Sequence, residues 1–138
     1  MKNILLIGCG HMGGSLMFGW SNSKNYTISV IDKKKYSILK KRNKNNKIKF
    51  FKSINDINNQ NNFDYIIFAT RPLELTNVFK ELKNANFNKR SIAISVIACK
   101  KTEIFKKNLL NINKIVRVMP NMPALIGEGV HCLSLIHI

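Results

Sequence analysis

Acidic residues are scarce in this chain: 7 stand against 23 lysines and arginines in 138 residues, for a formal charge of +16. An excess of that size raises nucleic acid or an anionic surface as a partner. The distribution argues against both, because the lysines are scattered among Asn and Ile without aromatic interleaving, basic heptads or a zinc-finger pattern. No nucleic-acid partner is expected. Cysteine is limited to Cys9, Cys99 and Cys132, an odd number without a CxxC pair, so neither a disulfide framework nor a zinc site is indicated. His11, His131 and His137 form no ligand cluster at useful spacing, and no metal is expected. No apolar run reaches the roughly 18 to 20 residues of a membrane span, and the N-terminus lacks the basic flank and small-residue cleavage site of a signal peptide. The expectation is a cytoplasmic protein without a membrane partner.

A hydrophobic fraction of 45% in 138 residues suits one domain with a true core. Short β-branched runs alternate with longer amphipathic stretches, the pattern of repeated βα units and a parallel sheet. Strands are predicted at NILLIG (3–8), YTISVID (26–32), IKFF (48–51), DYIIFAT (64–70), SIAISVIA (91–98) and KIVRVMP (114–120), with helices over 11–22, behind Lys33–Lys35, behind Pro72, and over 102–111. The stretch DYIIFAT is apolar almost throughout, as a central parallel strand covered on both faces must be. The expected fold class is α/β, a doubly wound and mostly parallel sheet.

The stretch ILLIGCGHMGGSLMFGW (4–20) sets Gly8, Gly10 and Gly13 at GxGxxG spacing where the first strand passes into the first helix. Unpaired N–H groups and the helix dipole make such a terminus an anion site, and the three glycines suit a tight turn, a close pyrophosphate approach and helix-on-strand packing. Asp32 ends the second strand 19 residues past Gly13, near the spacing of a ribose-binding acid in a Rossmann-type dinucleotide-binding domain. An aspartate there also suits a cap of the following helix. Lys33, Lys34 and Lys35 follow at once, and their charge opposes the repulsion of Asp32 for a 2′-phosphate, so both NADH and NADPH remain open, with NADH favoured on strand-end geometry.

Three segments then carry a resemblance. IVRVMPNMPALIGEG (115–129), FATRP (68–72) and GCGHMGGSL (8–16) are similar to the segments that pyrroline-5-carboxylate reductases write roughly as RxMPNTPAxxGxG, AVKP and GxGNMGxA, in the same chain order. The resemblance covers about residues 2–130, and MPN-x-PA is its most specific part. It implies hydride transfer from NADPH or NADH to the ring C=N of 1-pyrroline-5-carboxylate, the small-molecule substrate, giving L-proline. It further implies that Ile7, Gly8, Cys9, Gly10, His11 and Met12 wrap the pyrophosphate, with Gly13 of the same motif packing helix on strand, and that Ala69, Thr70, Arg71 and Pro72 pass beside the cofactor at the end of the fourth strand. Asp32, Lys33, Asn55 and Ala98 complete the implied cofactor set, while Pro120 and Asn121 stand next to the substrate; no catalytic acid is identified.

The departures are His11 for Asn, Thr70-Arg71 for Val-Lys, Met122 for Thr, and Cys99-Lys100 where the family has a glycine-containing turn. Asn55 lies one residue too far from the fourth strand for the family's spacing. The family continues into a helical domain that forms its homo-oligomer and closes the substrate pocket. The expectation is therefore an NAD(P)-binding domain over 1–130, an atypical tail over 131–138, and activity that needs more than this chain. Another dehydrogenase sharing the N-terminal domain, or a non-catalytic dinucleotide-binding module, remains an alternative.

Overall fold

The computed structural model describes residues 1–119 and 132–137. Strands β1 (Lys2–Ile7), β2 (Tyr26–Ile31), β3 (Ile48–Phe51), β4 (Tyr65–Phe68), β5 (Ile92–Ser95) and β6 (Lys114–Met119) alternate with helices α1 (His11–Ser21), α2 (Tyr36–Arg42), α3 (Leu75–Leu82) and α4 (Thr102–Asn108). Strand β7 (Cys132–His137) ends the described chain. The sheet order is β3-β2-β1-β4-β5-β6-β7. Its first six strands run parallel, with Leu6 beside Val30 on one side and Ile67 on the other, while β7 lies antiparallel to β6 and sets Met119 opposite Cys132.

Alternation along β1 covers both faces of the sheet. Leu5 and Ile7 join a core with Ile66, Phe68, Phe79, Leu82, Phe105 and Ile115, and Ile4 and Leu6 join another with Leu16, Ile28, Val30 and Ile67. Three rings seal the α3–α4 side: Phe68 lies 5.1 Å from Phe105 edge-on, and Phe79 lies 5.3 Å from Phe105.

The predicted strands and helices are found, β3 with the expected bounds, β1 shifted by one residue, and most of the others with shorter ends. The segment behind Pro72 opens as a 3-10 turn (Pro72–Glu74) before α3, with proline in a first turn where its missing N–H goes unused. Strand β5 stops at Ser95, whose Oγ accepts the Ile97 N–H at 3.3 Å, and Cys99 then takes φ 62°. The chain keeps a left-handed turn there without the glycine, at a strain of roughly 1–2 kcal/mol. The six expected parallel strands are all present, and Cys132–His137, read as an atypical tail, adds a seventh, antiparallel strand along the free edge of β6.

Candidate functional site

Six parallel strands bring their carboxyl ends to one edge, and the order 3-2-1-4-5-6 reverses direction between β1 and β4. That switch point is where an open α/β sheet leaves a ligand crevice. The glycine loop, Asp32, Ala69–Pro72 and the segment after β5 all lie at this edge.

Each glycine of the motif meets a different neighbour. Gly8 has φ +92°, and a Cβ there would stand 2.8 Å from Ala69 O and Thr70 N. A Cβ on Gly13 would overlap the Gly8 carbonyl oxygen, so α1 sits against the end of β1 only because that residue has no side chain. A Cβ on Gly10 would meet nothing within 4 Å. Gly10 is also the N-cap of α1, makes no side-chain cap, and is followed by a first turn without an acidic residue. The first turn of α1 thus has open space beside Gly10, no side-chain cap and no carboxylate of its own, with the helix dipole behind it, an arrangement suited to an anionic oxygen.

Asp32 is held by three backbone donors. Its Oδ2 accepts the Cys9 N–H at 2.8 Å, and its Oδ1 accepts the N–H groups of Lys34 and Lys35 at 3.1 and 2.9 Å. The expected cap of the following helix is not formed: the N-cap of α2 is Lys35, without a side-chain cap, and Asp32 instead closes the turn ahead of it. The Lys35 ammonium donates to the Cys9 carbonyl at 3.1 Å. Cys9 itself is buried beneath the loop, and that burial, reinforced by the nearby Asp32 carboxylate and partly offset by Lys35, raises its thiol pKa above the ordinary 9.0.

A cleft of about 490 Å³ opens beside the loop, walled by Ile7, Gly8, Ile31, Asp32 and Thr70 and rimmed by Lys33, Lys34, Lys52, Lys80 and Glu74. Thr70 Oγ1 is buried with no partner among the described residues. Across the rim Lys34 Nζ meets Glu74 Oε1 at 2.6 Å, an exposed pair of the kind that contributes about 0–1 kcal/mol. A slightly larger cavity, about 550 Å³, lies between α3 and α4. Its wall includes Phe87 and Ile112, which precede β5 and β6, so it opens toward the amino ends of the strands and holds none of the glycines.

The structure brings Ile7–Gly13, Asp32, Lys33, Ala69 and Thr70 together around one cleft and loop. Arg71 and Pro72 are exposed at the turn after β4, and Ala98 is exposed after β5. Asn55 is set apart: it lies exposed in the 3-10 turn after β3, its N–H donates to Ser53 Oγ at 3.3 Å, and it does not wall the cleft. Pro120 and Asn121 lie outside the described residues. Sequence reading missed Lys52 and Glu74, whose signal was their place just past β3 and β4, at the strand edge where the crevice forms.

Over 134 residues the chain is 28% identical to the pyrroline-5-carboxylate reductase of Haemophilus influenzae, covering 93% of this chain and 46% of that one. The chain spans less than half the length of the curated relatives it matches. Among solved structures, the NADP-bound pyrroline carboxylate reductase of Plasmodium falciparum matches with TM-score 0.74 and 22% identity over 98% of this chain and 48% of its own. A prephenate dehydrogenase from A. aeolicus matches with TM-score 0.73 and 16% identity over 97% of this chain and 50% of its own, so these likenesses show the fold alone. Residues 3–99, more than half of the chain, match the family described as NADP oxidoreductase, coenzyme F420-dependent, and the chain belongs to that family.

Proposed function

We propose that this chain is the cofactor-binding part of an NAD(P)H-dependent pyrroline-5-carboxylate reductase. The observation that carries the cofactor half of the reading is the open space at Gly10, in a loop where Gly8 and Gly13 are each packed against backbone. The first N–H groups of α1 would hold the pyrophosphate, and Lys33 and Lys52, at the rim of the cleft, would face the adenosine end. Bound there, a reduced nicotinamide would supply the hydride that, with a proton added at the ring nitrogen, converts the C=N of 1-pyrroline-5-carboxylate to the CH–NH of L-proline. The substrate half rests on the MPN-x-PA segment at 119–124 and on the relatives, since the fold serves several dehydrogenases.

The chain's own residues bind and orient: the loop fixes the phosphates and the end of β4 lines the cofactor path, while Pro120 and Asn121 are assigned to the substrate side by the resemblance alone. The H. influenzae relative is about twice as long. Closure over the substrate, and the homo-oligomer, belong in this reading to the part of that relative which the chain does not match.

Titration with NADH and NADPH, followed by nicotinamide fluorescence, tests the cofactor half. Saturable binding that Gly10→Val abolishes is expected, and no binding by the unaltered chain would sink the reading. For the substrate half, orientation contributes roughly 7–11 kcal/mol to such transfers. The chain alone should therefore turn over far below the ~10 s⁻¹ of a typical enzyme. Steady reduction of the imine at that rate would place closure within these residues.

A further inference from the structure

Asp32 occupies the position of a ribose-binding acid, yet its hydrogen bonds run to the protein. An ionised carboxylate offers about four acceptor sites. Three are taken, by the N–H groups of Cys9, Lys34 and Lys35. A ribose diol brings two donors, and one acceptor site is left.

The two grips on Cys9 have a directional consequence. Because the peptide unit is planar and trans, the Cys9 C=O and the Gly10 N–H point in opposite directions across one plane. Lys35 Nζ holds that carbonyl, so it also sets where the Gly10 N–H points. Asp32 Oδ2 fixes the preceding plane through the Cys9 N–H, and Oδ1 holds the Lys35 backbone, so the carboxylate acts on both.

The geometry points to Asp32 and Lys35 as a clamp on the Cys9 peptide that aims the glycine-loop amides at pyrophosphate, making Asp32 a positioning residue for any dinucleotide and not the selector of NADH over NADPH. This rests on the proposed dinucleotide reading. It differs from a ribose role in its predicted selectivity and from simple electrostatics in sign, because deleting a negative charge beside a phosphate site should otherwise tighten binding.

The test is Asp32→Asn in the 138-residue chain, titrated with NADH and NADPH, with amide hydrogen exchange read residue by residue. Loss of a charge-assisted bond should weaken both cofactors by about tenfold, leaving their ratio within about threefold. The Cys9 amide should lose its protection from exchange while the amides of Leu5 and Leu6 keep theirs, which a general loss of structure would not allow. Weakening of NADH alone, or tighter binding of either cofactor, or no change, overturns the clamp. If Asp32→Asn does not fold, Lys35→Met carries the test at ~0.5 M salt, where charge attraction is screened. A loss of about threefold for both cofactors supports the clamp and unchanged affinity overturns it. Failure of the unaltered chain to bind either cofactor would instead remove the dinucleotide reading, and the clamp with it.

Discussion

Alanine or valine at the three motif glycines should separate stability from binding. At Gly8 the backbone sits at φ +92°, where a side chain costs roughly 1–3 kcal/mol in strain alone. Its Cβ would also press on Ala69 O and Thr70 N from 2.8 Å, beside the bond by which the Ala69 N–H donates to Ile7 O. A loss of about 3 kcal/mol is expected for Gly8→Ala, about 10–15 °C in melting temperature for a domain of this size. For Gly13→Ala the overlap with the Gly8 carbonyl has to be relieved by moving α1, an overpacking cost of about 1–3 kcal/mol. Gly10→Val meets nothing and starts from φ −76°, which any residue adopts, so its stability should fall only by the roughly 1 kcal/mol that an aliphatic side chain costs at an N-cap. Its cofactor affinity, in contrast, should fall more than about tenfold, since the side chain occupies the space left for pyrophosphate. Thermal melts by circular dichroism and fluorescence titration read the two effects separately. A Gly8→Ala protein that melts within about 2 °C of the unaltered chain, or a Gly10→Val protein that binds cofactor equally well, would refute the assignment of these roles.

Much of this arrangement was legible because its causes are local. The apolar run YIIF can only be a strand covered on both faces, and it is found between β1 and β5. The glycine spacing and Asp32 were readable as positions. The partners of Asp32 were not, because its bond to Cys9 spans 23 residues and depends on how β1 and β2 align. Cys99 shows a second limit: a residue other than glycine takes a left-handed backbone there, which its side chain gave no reason to expect. Nothing in CLSLIH calls for a strand until β6 exposes an edge beside it. Asn55 was carried over from the resemblance although its spacing to the fourth strand is one residue too long, and it lies in a turn that caps on Ser53.

Lys33→Ala should weaken NADPH by about threefold to tenfold at low salt and NADH little, with the difference fading at ~0.5 M salt; equal loss for both would refute a role at the 2′-phosphate. Phe105→Ala removes the ring that both Phe68 and Phe79 pack against and should lower stability by about 3–5 kcal/mol in chemical denaturation, a loss under ~1 kcal/mol counting against the cluster as a main support of the α3–α4 face. Cys9 gives a prediction in pH. Burial and the Asp32 carboxylate raise its thiol pKa in the folded chain above the 9.0 it has when exposed. Between those two values the native state holds the proton that the unfolded chain has released, so unfolding stability falls as pH rises. The contribution is fully present below pH 9 and is lost as pH climbs through the folded value. The measure is the difference in slope between the unaltered chain and Cys9→Ala, in which any constant cavity cost cancels. Denaturant melts from pH 8 to 10.5 under reducing conditions should show the unaltered chain losing stability faster, by at most about 1.4 kcal/mol per pH unit. Coincident slopes would show that Cys9 titrates alike in both states, and that the loop above it does not keep water and charge from the thiol.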